Sequence, residues 1–169
     1  MHVTIVHLTE DKNGTRHSED EVFEKNEYFF PDGVTEEKED MAKERLDGFV
    51  RWLGDAVTTG ADKRDDGTDI PWLEIDATKL EPLFKPYYKD FADEVRALGE
   101  CSLHDFSTNS SKLRQAMFAL QQAYKFDWAY VLTDYGDASP ISAWLRALQY
   151  EGVPQKHRLY VQAVYDGDQ

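Results

Sequence analysis

The chain has 169 residues, of which 41% are apolar and 13% aromatic, and a formal net charge of -14. That length suits one domain with a packed interior, so the 31% charged content reads as solvated surface and not as disorder. A field of this sign works against phosphate backbones and anionic membrane surfaces and favours a basic partner, so direct nucleic-acid or membrane binding is not expected.

The imbalance is concentrated early. Residues 1–40 carry 4 Lys/Arg against 12 Asp/Glu, whereas residues 101–169 carry 6 against 7. Cys101 is the single cysteine, which rules out an internal disulfide and fits a reducing, cytoplasmic setting with an inert thiol. The segment His2–Leu8 lacks the basic flank and long apolar core of a signal peptide, and no run of about 18 apolar residues predicts a membrane span.

Residues 2–9 mix β-branched and apolar positions and predict a strand. Asn13-Gly14 follows, a pair suited to a type I′ turn, so a hairpin is expected whose second strand runs toward Phe23. Glu27-Tyr28-Phe29-Phe30 reads as a further short strand closed by Pro31-Asp32-Gly33. Thr35 then caps a helix with carboxylates in its first turn, and Ala42, Leu46, Phe49, Val50 and Leu53 mark its core stripe.

Residues 58–69 show no apolar periodicity and predict a long loop, the one internal linker, with 1–57 before it as an acidic sheet-and-helix segment and 71–169 after it as the scaffold. Pro71–Ile75 predicts a short strand, and Thr78-Lys79-Leu80-Glu81 fits a capping box. Leu80, Phe84, Tyr87, Phe91, Val95 and Leu98 continue at helical spacing to Gly99. Pro86 lies inside that pattern and predicts a kink or division near Lys85.

A loop is expected over 101–108. The densest apolar pattern follows, from Asn109 to Tyr150: a helix capped by Asn109 or Ser110, a buried strand at Trp128–Leu132, and a second helix capped by Ser139 with Pro140 in its first turn. Gly152-Val153-Pro154 ends that helix, and 158–165 alternates as a final strand that pairs with 128–132 or with the N-terminal hairpin. The fold class is therefore α+β, a single domain with a mixed or antiparallel sheet of about four to six strands packed with about four helices.

Named catalytic and phosphate-binding motifs are absent. Asp134 and Asp137 flank Gly136 after the buried strand, where carboxylates can jointly hold Mg²⁺; the same residues serve an ordinary strand-to-helix turn. His104-Asp105 offers a base without a nucleophile at a telling spacing, and His2 and His7 fall on opposite faces of one strand. Most aromatics sit on core stripes; Trp72 and Tyr88 are the two that suit a partner anchor.

The acidic runs are the leading candidate site: Glu19, Asp20, Glu21, Glu24 and Glu27; Asp32, Glu36, Glu37, Glu39 and Asp40; and Asp62, Asp65, Asp66 and Asp69. Side by side they would form one negative face able to imitate a row of phosphates and occupy a basic groove. The expected function is that of a non-enzymatic interaction protein with no cofactor, docking on a basic protein surface as an inhibitor, immunity-type protein or nucleic-acid mimic. The alternative is a small metal-assisted enzyme using Asp134 and Asp137.

Overall fold

The computed structural model describes residues 1–150 and 154–169. The chain divides into two compact units, one formed by Met1–Leu80 with Asp127–Gln169 and one by Glu81–Phe126. Among the described residues, seven strands form one mixed sheet and there are six α-helices, so the α+β class stands with more elements than the sequence predicts.

The sheet belongs to the first unit. β1 (His2–Thr9) lies at its centre, antiparallel to β7 (Lys156–Asp168) and parallel to β5 (Ala129–Leu132). The order is β3 (Val57–Lys63), β4 (Asp69–Asp76), β7, β1, β5 and β6 (Ala138–Pro140), and β2 (Gly33–Glu36) adds to β7 beside residues 165–168. β7 thus runs along β1 on one edge and shares its other edge between β2 and β4 (Asp69–Asp76). It does not pair with β5, because β1 lies between them.

Six of the eight residues of β1 are buried, so this central strand is covered on both faces. Val3 and Ile5 share a face with Tyr130, Leu132, Ala163 and Tyr165, and this face meets Val22 and Phe30 in one core. Val22 and Phe30 are fully buried, worth roughly 1.5–3 kcal/mol each in transfer free energy. On the other face Thr4 accepts a bond from Arg45 of α2 (Glu39–Leu53), while Phe49 packs against Trp128 and Trp144.

The β1–β7 register shifts after His7, where Ala163 faces His7 but Val161 faces Leu8. The extra residue is Gln162, and the bulge re-aims its buried side chain. Its amide nitrogen donates to the Thr9 hydroxyl at 2.9 Å, and its oxygen accepts from Arg64 at 2.9 Å.

Several expectations are corrected. The predicted N-terminal hairpin does not form: residues 19–26 are a helix, α1 (Glu19–Asn26), opened by a reciprocal capping box between Ser18 and Glu21. Asn13-Gly14 serves a turn in which the Gly14 amide donates to the Asp11 carbonyl. Gly14 is needed there for space, since a Cβ would stand 2.8 Å from the Thr9 hydroxyl oxygen. Residues 27–30 continue in turns and not as a strand, delivering Phe30 to the core. Thr35 lies in β2, and the helix begins later, after Lys38.

The loop expected at 58–69 is a hairpin of β3 (Val57–Lys63) and β4, closed by a turn with Gly67 at a positive φ. β3 is an edge strand with no fully buried residue, which is why it shows no apolar pattern. Gly60 faces Trp72 across the pair, and a Cβ there would come within 2.3 Å of the indole ring. Gly60→Ala is expected to lower stability by about 1–2 kcal/mol by displacing Trp72, read by urea unfolding followed by tryptophan fluorescence.

The expected capping box at Thr78 is replaced by a short 3₁₀ turn over Ala77–Lys79, in which Asp76 accepts from the Thr78 amide at 3.0 Å. β6 (Ala138–Pro140) takes Ser139, so α6 (Ile141–Leu148) starts after Pro140 without a serine cap. The stop expected at Gly152-Val153 lies outside the described residues.

In the second unit the pattern divides near Lys85, one of the two outcomes expected of Pro86: a 3₁₀ turn over Glu81–Phe84 ends there, and α3 (Lys85–Gly99) carries the proline in its first turn, where its missing amide costs no helical bond. Residues 103–108, expected as loop, form α4 (Leu103–Thr108) behind a Ser102–Asp105 capping box. Of the two caps expected, Asn109 and Ser110, it is Ser110 that caps α5 (Ser111–Lys125). Two serine hydroxyls and a backbone amide bond to the Asp105 carboxylate and hold it down to about 2, led by the Ser102 amide. Among the described residues no helix is long and apolar enough to cross a membrane.

Candidate functional site: the acidic margin around α1 and β2

α1 places three carboxylates in its first turn, where the helix N-terminus stabilises negative charge. Two of them are spent on structure. Glu21 accepts from the Ser18 amide at 2.8 Å, which lowers its pKa, and Glu19 accepts from the Glu36 amide at 2.6 Å. The second bond fastens α1 to β2, and Arg16 pairs with Glu36 at the same place. Glu37 is bound by Arg45 at 2.6 Å, and Arg45 also reaches Asp166 at 3.0 Å, tying α2 to β7.

The rest of this group faces solvent. Asp20 and Glu24 lie one turn apart on α1 and Glu27 follows as its C-cap, still in helical backbone, so the three form one outward row. Asp32, Glu39 and Asp40 are likewise exposed. Lys25, the one cation within residues 19–27, is turned onto the Tyr135 carbonyl.

The hairpin carboxylates have local partners. Asp62 accepts from the Tyr160 hydroxyl at 2.9 Å, and Asp69 pairs with Lys63 at 2.6 Å. Asp66 is held by the Thr68 hydroxyl, which lowers its pKa, and Asp65 accepts from Asn13 at 3.0 Å with Lys12 at 3.8 Å. Residues 13–19 therefore link the runs: Asn13 touches the hairpin tip, and Arg16 and Glu19 touch β2.

Trp72 is half-buried between Gly60 and the Arg158 guanidinium, which lies 3.9 Å from its ring centroid. Tyr88 is 69% exposed on α3, in the other unit.

Asp134 and Asp137 flank a turn closed by Gly136 N–H to the Thr133 carbonyl at 2.9 Å, with Gly136 at φ +81. Asn26, buried on α1, clamps the turn by donating to the Gly136 carbonyl and accepting from the Ala138 amide. Both aspartates are exposed, and among the described residues no three His, Cys, Asp or Glu side chains are placed to hold a metal ion.

Beside this turn lies a pair with no signature in the sequence. His7 and His17 have ring centroids 5.0 Å apart. His17 Nε2 lies 3.1 Å from the Asp134 carbonyl oxygen, and its Nδ1 stands 3.8 Å from Glu21. His7 is fully buried, and burial with His17 nearby lowers its pKa to about 4 against a smaller opposing pull from the Thr133 backbone. Ten residues separate the two in sequence, and only the packing of α1 on the sheet joins them. Tyr165 closes the region by donating its hydroxyl to the His17 carbonyl, and burial pushes that phenol up to about 12.

No family model matches the chain, and neither a curated protein nor a solved structure matches it. The residues themselves are the ground for a functional reading.

Proposed function

We propose that the protein is a non-enzymatic interaction protein that docks its acidic side on a basic protein surface. An inhibitor, an immunity-type protein or a nucleic-acid mimic that blocks a nucleic-acid-binding machine acts in this way. The supporting observation is the row Asp20, Glu24 and Glu27, exposed and without ion pairs among the described residues, along α1 and its C-cap, while the helix's other carboxylates are consumed in fastening it. A rigid row of unneutralised charge keeps its field for a partner, whereas the paired hairpin carboxylates retain less of theirs. The single cysteine fits a reducing, cytoplasmic setting.

The unit of the sheet also carries the charge. Residues 81–126 hold six Lys/Arg and six Asp/Glu, so the whole net charge of -14 belongs to the other unit.

The test is a pull-down with the full chain at about 0.05 M and about 0.5 M salt, beside the variant Asp20→Asn/Glu24→Gln/Glu27→Gln. These side chains make no fold-bearing contact, so the variant is expected to fold and to lose most of the capture seen at low salt. Capture that is insensitive both to salt and to the triple substitution rules the proposal out.

A further inference from the structure

α3 presents a second surface of opposite character. Its inner side is taken: Tyr87 stacks on Phe126 with centroids 4.0 Å apart, and Phe91 packs on Tyr124 of α5. On its outer side Lys85, Tyr88, Lys89, Ala92 and Arg96 recur at helical spacing and, with Pro82, line an open groove of about 630 Å³. Arg96 is paired with Asp93 at 2.5 Å, while Lys85 and Lys89 have no carboxylate partner among the described residues.

From this geometry we propose that the outer groove of α3 docks an extended, acidic peptide segment of a partner protein. Two free ammonium groups one helical turn apart match two carboxylates on such a segment. Beside them Tyr88, Ala92 and the ring of Pro82 offer apolar area for an apolar side chain of the same segment. Pro82 and Pro86 fix the backbone at this end of the groove, so little ordering is needed on binding. A nucleic-acid strand fits less well: Asp93 lies in the groove, and a row of phosphates brings more negative charge than two free ammonium groups can meet.

The surface is separate from the α1 row in residues and in sign, so each can fail without the other. The experiment is selection of a random peptide display library on the full chain. Selected peptides are expected to carry two or more Asp/Glu around an apolar, aromatic or proline residue. A synthetic copy is expected to bind Lys85→Glu/Lys89→Glu on the order of tenfold more weakly than the parent, and Tyr88→Ala more weakly as well. All three side chains are exposed, and retained circular dichroism checks the fold. The proposal is overturned if no peptide is enriched, if the selected peptides are basic, if the double variant binds the winner unchanged, or if a thymidine oligonucleotide binds the groove more tightly than the winner.

Discussion

Gly167→Ala is expected to cost about 3 kcal/mol of unfolding free energy, the upper end for one added carbon in a packed interior. Gly167 sits on β7 between Val3 of β1 and Val34 of β2, and a Cβ there would stand 2.7 Å from Phe30 Cδ1 and 2.8 Å from Ile5 Cδ1. Neither neighbour can yield. Both are fully buried, and Phe30 is set edge-on against Tyr130 with centroids 4.9 Å apart. Gly48→Ala in the middle of α2 is the matched control, because nothing lies within 4 Å of its Cβ position and the helix gains about 0.5–1 kcal/mol from alanine. Opposite signs in urea unfolding are expected for the two. The double variant Gly167→Ala/Phe30→Leu is expected to recover part of the loss, as neighbours in one contact are not additive.

His7 makes stability depend on pH in a defined direction. Its folded pKa, about 4, lies below the value of 6.5 of the free side chain, so the unfolded chain binds the extra proton more readily. Its contribution is complete above pH 6.5, falls as pH drops from 6.5 to 4, and changes no further below that. The window is worth about 3 kcal/mol. The cause is burial first, then the neighbouring His17, and together they outweigh the Thr133 backbone, which favours the charged ring. His7→Phe is expected to flatten this part of the pH profile while carboxylates such as Glu21 and Asp66, whose pKa values are lowered, still weaken the fold at more acid pH. A parent protein as stable at pH 4.5 as at pH 7, by urea unfolding, would show that His7 is accommodated as a cation.

Strong periodicity was legible and weak periodicity was not. The stripe of α2, the buried run of β5, the Ser110 cap and the division near Lys85 follow from side-chain spacing, and the structure has all four. α1 is different. Ser18-x-x-Glu21 is a capping box in plain sight, but Asn13-Gly14 also satisfies a hairpin signal, and the local sequence ranks the two wrongly. What decides between them is non-local: Val22 and Asn26 have places waiting against the sheet and the 133–137 turn. β3 escaped because an edge strand buries little, and β2 because four residues carry too short a pattern.

The same limit applies to the site. Each acidic position can be read from the sequence, but which carboxylates are paired cannot. Glu36 with Arg16, Glu37 with Arg45 and Asp69 with Lys63 are contacts made by the fold or the hairpin register. The proximity of His7 to His17 is of the same kind.

Whether the outward side of α1 meets a basic partner is read by site-specific photo-crosslinking. A photoreactive residue is placed at Glu24, or at Thr59 on the exposed edge of β3, and the bound partner is recovered under light at low and high salt. An adduct from Glu24 that fades as salt rises is expected, with little or none from Thr59. An adduct from Thr59 that equals or exceeds the one from Glu24, or one from Glu24 that salt leaves unchanged, would contradict it.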